Sequence, residues 1–187
     1  MPKIIKILLF FVSITTPFVG VGQKLYQTIS AEVGFFSTAP LEDITAISNE
    51  GVSVWNVENR AISFKVKIRS FRFAKALMQE HFNENYMESE KYSDASFKGN
   101  VIGEIDFKSR RDQNIIIKGE LTVHGVKRER EIPATAKFTT NGEGLVLRSN
   151  FKVKCMDHNI KIPKLLWKKI GEVMDVTLYS QFKLIRK

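Results

Sequence analysis

Three histidines, His81, His124 and His158, and one cysteine, Cys155, are the side chains of this sequence best suited to acid–base, nucleophilic or metal chemistry. His81 stands beside Glu80 and near Glu84, and His158 follows Asp157. A fold that brought these two groups together would assemble a small polar site. The surrounding spacing argues against a metal, because neither H-E-x-x-H, nor a cysteine pair, nor a dense histidine group occurs. His124 precedes Gly125 at the end of an alternating segment, where a histidine serves a turn or a structural hydrogen bond. Cys155 lies between Val153-Lys154 and Met156-Asp157, which reads as a half-buried strand end with no adjacent base. It is a structural thiol, and a lone cysteine makes no internal disulfide, so the core must supply the stability. Glu104 and Asp106 share a parity on one extended segment and read as outer-face charges, not as the facing pair that glycoside hydrolysis needs. No G-x-S-x-G and no glycine-rich phosphate loop is present. No catalytic residue, metal or cofactor is expected.

The elements that would position these residues are strands. Ile62, Phe64, Val66 and Ile68 share one face, with Ser63, Lys65, Lys67 and Arg69 on the other. Ile115, Ile117, Gly119, Leu121 and Val123 repeat the pattern, as do Leu145, Leu147, Phe151 and Val153 around an interruption at Ser149. Met174, Val176, Leu178, Phe182 and Leu184 form the clearest face. Weaker strands are expected over residues 26–29, 32–38, 44–48, 52–56, 96–107 and 127–140. Turns fall at Asn49-Glu50-Gly51, over residues 56–59, at His124-Gly125 and at Asn141-Gly142-Glu143-Gly144. Helical spacing predicts two short helices, over residues 74–82 and 163–170. So many antiparallel strands hide their edges best by closing, which predicts one all-β antiparallel barrel with two short inserted helices.

Residues 1–22 read as a signal peptide. Lys3 and Lys6 form a basic start, an apolar stretch follows, and Gly20-Val21-Gly22 supplies small residues for cleavage before Gln23. The mature domain is then 23–187, periplasmic or secreted. The formal charge of +9 falls by two when Lys3 and Lys6 leave with the leader. The remaining cations are spread along outer strand faces, a solvated surface attractive to anions. Export and the lack of a recognition motif exclude nucleic acid as the expected partner. Lys161, Lys164, Lys168 and Lys169 flank Trp167, either as a solvated helix face or as a peripheral contact with an anionic membrane surface.

Three stretches carry a family resemblance. The first runs from Phe73 through Asn83, Tyr86, Met87, Lys91 and Tyr92 into Ala95-Ser96-Phe97, with Ser93 where the pattern has proline. The second is Gly119-Glu120-Leu121-Thr122-Val123-His124-Gly125-Val126-Lys127. The third runs from Phe151-Lys152-Val153 through Asp157-His158-Asn159-Ile160 to Pro163. Together they resemble the YceI-like, lipocalin-like barrel family. The resemblance implies an extended antiparallel barrel, a long apolar ligand of polyisoprenoid type and a homodimer.

Apolar ligand binding needs concave hydrophobic area. The inward candidates are Phe64, Val66, Ile68, Phe97, Val101, Ile115, Ile117, Leu121, Phe138, Leu147, Phe151, Leu178 and Phe182. Each also suits ordinary core packing, and an eight-stranded barrel is either filled or holds one small ligand. The expected function is an exported barrel that binds a long-chain lipophile without catalysis. A second reading is an envelope stress or structural protein acting through surface contacts with a protein. An enzyme using His81, His124 or His158 ranks last.

Overall fold

The computed structural model describes residues 24–38, 43–162 and 172–185. The expected leader and the expected helix over residues 163–170 lie outside them, as do Lys164, Trp167, Lys168 and Lys169. Ten strands run in chain order: β1 (Leu25–Ser37), β2 (Ile44–Ser48), β3 (Val52–Asn56), β4 (Ala61–Lys67), β5 (Arg72–Phe73), β6 (Asp94–Ile102), β7 (Gln113–Val123), β8 (Val126–Phe138), β9 (Gly144–Lys154) and β10 (Val173–Ile185). Eight of them close a ring in the order β1, β10, β9, β8, β7, β6, β4, β3 and back to β1, every pairing antiparallel. β1 pairs along almost its whole length with β10. On its other side it meets β3 at Leu25–Gln27 and β2 at Val33–Ser37. β2 carries β5, so β2 and β5 form a flap beside the upper half of the ring.

The alternation in the sequence becomes the two faces of this wall. In β7 Ile115, Ile117 and Leu121 are buried while Asn114, Ile116 and Lys118 are exposed. Ser149 keeps the inward parity of β9 and donates its hydroxyl to the Pro133 carbonyl at 2.6 Å, so a polar residue sits inside at little cost. The β7–β8 turn is His124-Gly125, with Val123 paired to Val126. Both turn residues have positive φ, 50° and 72°, as a two-residue hairpin requires.

Three elements differ from expectation. The segments 26–29 and 32–38 are one strand, β1, with a bulge between Thr28 and Ser30. The extra residue shifts the side-chain parity while pairing with β10 continues. The strand expected over residues 96–107 ends at Ile102, and Gly103 turns away at φ 95°. Glu104 and Asp106 therefore lie in the β6–β7 connection, not on a strand face. The helix expected over residues 74–82 is α1 (Ala76–His81), continued by one wider π-type turn over Phe82–Tyr86. It is the one α-helix among the described residues.

Candidate functional site

The lower half of the barrel is solid. Trp55, Val101, Phe138, Leu145 and Phe182 are each no more than 2% exposed. Register places Phe138, Leu145 and Phe182 side by side across β8, β9 and β10. The upper half is hollow. A cavity of about 720 Å³ opens at the end where β4, β7 and β9 finish and β6 and β10 begin.

Nine of the thirteen expected inward residues line this cavity: Phe64, Val66, Ile68, Phe97, Ile117, Leu121, Leu147, Phe151 and Leu178. Val101, Ile115, Phe138 and Phe182 do not line it and belong to the filled core below. Cross-strand register explains the shared wall. Phe64, Phe97 and Leu121 are neighbours across β4, β6 and β7, and Phe35, Val176 and Phe151 across β1, β10 and β9.

Alternation did not single out the wall nearest the mouth. Phe35, Phe71, Phe73 and Phe82 pack there, with ring centroids 5.0 Å apart for Phe73 and Phe82, 5.3 Å for Phe35 and Phe71, and 5.4 Å for Phe35 and Phe82. Such ring pairs contribute about 0.5–1.5 kcal/mol beyond their area. β1, β5 and the π-type turn after α1 thereby become one side of the mouth. The Phe71-x-Phe73 spacing was the available signal.

Polar groups are few in the lining. Lys75 and His81 stand at the two ends of α1. The Cys155 thiol lines the upper wall and is 4% exposed. Burial pushes it up to about 11, so it stays a protonated thiol and not a nucleophile.

His124 and His158 meet beside the cavity, and His81 does not join them. His124 Nε2 lies 2.8 Å from Glu88 Oε2, and Nδ1 lies 3.2 Å from the His158 carbonyl oxygen. The Tyr92 ring packs edge-on against His124 at 4.4 Å. The His158 Nδ1 bonds the Val126 carbonyl at 3.0 Å. Burial holds the His158 imidazole below its ordinary value, so it is neutral and its Nδ1 donates. The cluster ties the segment before β6, the β7–β8 turn and the turn after β9 into one joint. Gly125 belongs to it, since a Cβ there would lie 2.5 Å from Tyr92 Cε1. Among the described residues no group of three or more His, Cys, Asp or Glu side chains gathers to hold a metal ion.

Fold and site define a lipocalin-like barrel with an apolar cavity closed at its lower end. Residues 27–182 match the YceI-like domain, and the chain belongs to that family. Solved structures share the fold at low identity. A polyisoprenoid-binding domain from Saccharophagus degradans, implicated in plant cell wall breakdown, is 12% identical with a TM-score of 0.73, covering 86% of this chain and 98% of that one. BcnA of Burkholderia cenocepacia is 12% identical with a TM-score of 0.66, covering 81% and 95%. The Campylobacter jejuni YceI protein is 14% identical with a TM-score of 0.53, covering 100% and 93%. No curated protein sequence matches the chain. The three stretches that carried the resemblance are the ones that meet at His124: Glu88 and Tyr92 from the first, His124 and Gly125 from the second, His158 from the third.

Proposed function

We propose that this barrel is exported and holds one long-chain lipophile, a polyisoprenoid or related lipid, without turnover, in the periplasm or outside the cell. The observation that carries the reading is the cavity of about 720 Å³, walled by aliphatic and aromatic side chains and open at one end. Burying a chain there is worth about 0.8 kcal/mol per methylene. A polar head group meets Lys75 and His81 at the two ends of α1. The likeness to a polyisoprenoid-binding domain supports the same class of ligand. The basic, apolar and small-residue order of residues 1–22 supports export.

The test is uptake of an isoprenoid probe by the unchanged chain and by Leu121→Glu and Phe64→Glu. Both residues face the cavity, and an unpaired carboxylate in an apolar wall opposes an apolar chain. Saturable uptake lost in a variant that still folds is the expected result. Equal uptake by a folded variant contradicts the proposal.

A further inference from the structure

The cavity has a floor. Beneath it Phe138 is the hub of an aromatic plug, with ring centroids 5.9 Å from Tyr26, 6.3 Å from Trp55 and 5.3 Å from Phe107. The Tyr26 hydroxyl donates to the Gly142 carbonyl at 2.6 Å and ties the plug to the β8–β9 loop. Phe64 stands at the boundary. It lines the cavity and packs on both the filled lower core and the cluster around Val33, Val66 and Phe71. Its ring is seated by the missing side chain of Gly51, where an added Cβ would lie 2.8 Å from Phe64 Cζ and 3.0 Å from Ala31 Cβ.

We infer that the barrel limits chain length, enclosing one chain of at most about 24 carbons, with Phe64 above the aromatic plug setting the stop. This rests on the lipophile binding proposed above. A methylene and a water molecule are of similar size, and each occupies roughly 30 Å³ in a liquid. At that volume the 720 Å³ cavity holds about 24 chain carbons. Carbons beyond the limit stay outside the mouth and gain nothing from the protein. The ligand class is therefore a single isoprenoid or acyl chain of twenty-odd carbons; a longer polyisoprenoid is only partly enclosed. Gly51 and Phe64 become specificity-determining residues with opposite effects. A methyl at Gly51 pushes the Phe64 ring into the space it faces, which is the cavity. A smaller side chain at Phe64 deepens the cavity.

The experiment is the partition of straight-chain primary alcohols of 12 to 36 carbons between the full-length protein and phosphatidylcholine vesicles. Vesicles reward every added methylene, so they cancel the general hydrophobic gain. The protein-to-vesicle ratio is expected to stay level up to about 24 carbons. It then falls about fourfold per added methylene. The break moves to longer chains in Phe64→Leu, to shorter chains in Gly51→Ala, and stays in place in Ile116→Ala, on the outer face of β7 and away from the cavity. A level ratio through 36 carbons overturns the length limit and leaves lipophile binding standing. No uptake of any alcohol overturns both. The unchanged protein alone decides between these results, whether or not a variant folds.

Discussion

His124 Nε2 lies 2.8 Å from Glu88 Oε2, a contact across 36 residues of chain that joins a hairpin turn to the wall of the cavity. The other ring nitrogen faces the His158 carbonyl, which only accepts, so Nδ1 carries hydrogen. The contact between Nε2 and the Glu88 carboxylate completes the joint. Just before Glu88, Phe82, Tyr86 and Met87 line the cavity. A surface turn thus holds part of the binding wall in place.

Glu88→Gln therefore loosens the joint while keeping its shape. The His124 side chain is 8% exposed and the Glu88 side chain 48%, so solvent screens part of the pair. The expected loss is about 1 kcal/mol of stability, read by urea unfolding. His124→Ala should cost more, because it also strips the Tyr92 ring of its neighbour. A pair of variants with unchanged midpoints contradicts the role given to this contact.

His158 makes stability depend on pH. Its folded value lies below the ordinary 6.5 because burial disfavours the imidazolium. As pH falls through 6.5, the unfolded chain takes up a proton that the folded chain refuses. The contribution is whole above that value and is lost as pH falls toward the lower folded one. Asp157 and the Val126 carbonyl oppose the shift, and Arg128 adds to it. The midpoint of thermal unfolding should drop more steeply between neutral and acid pH in the unchanged chain than in His158→Asn. Parallel curves would contradict this.

Cys155 should be a slow thiol. With a value of about 11, roughly one molecule in a thousand is ionised at pH 8. Reaction with an aromatic disulfide reagent should be slow in the native protein, rapid after unfolding, and slower again when an apolar chain fills the cavity the thiol lines. A native rate equal to the unfolded rate contradicts its burial.

Phe138→Ala removes the hub of the plug, 1% exposed. It should destabilise the fold by about 3–5 kcal/mol. Phe73→Ala, on a half-buried ring at the mouth, should cost clearly less. Denaturant unfolding of the two proteins checks the contrast between a filled lower core and a hollow upper one. Equal losses contradict it.

Much of this was legible in the residues. Period-two alternation named the inward face of β4, β7, β9 and β10, and the His124-Gly125 pair named its hairpin. Depth was not legible. Phe64 and Phe138 look alike in a pattern, yet one lines the cavity and the other fills the floor, because alternation reports a face and not a height along the barrel. The bulge at Thr28 and Ser30 broke the β1 pattern while its pairing with β10 persisted. The aromatic wall of Phe35, Phe71, Phe73 and Phe82 draws on the two-residue strand β5, the residue just before it and the five-residue π-type turn, each too short to show a period, besides the bulged strand β1. The Glu88–His124 contact joins segments far apart in sequence, and the β6–β7 pairing, with Ser96 opposite Thr122, brings them together.

The most direct test of the account is native mass spectrometry of the protein expressed with residues 1–22 in place and purified from a bacterial envelope, followed by solvent extraction and lipid analysis. The account predicts one apolar chain per protein, lost in the Leu121→Glu variant. A folded protein that stays empty in the presence of excess polyisoprenoid and shorter alcohols would contradict it.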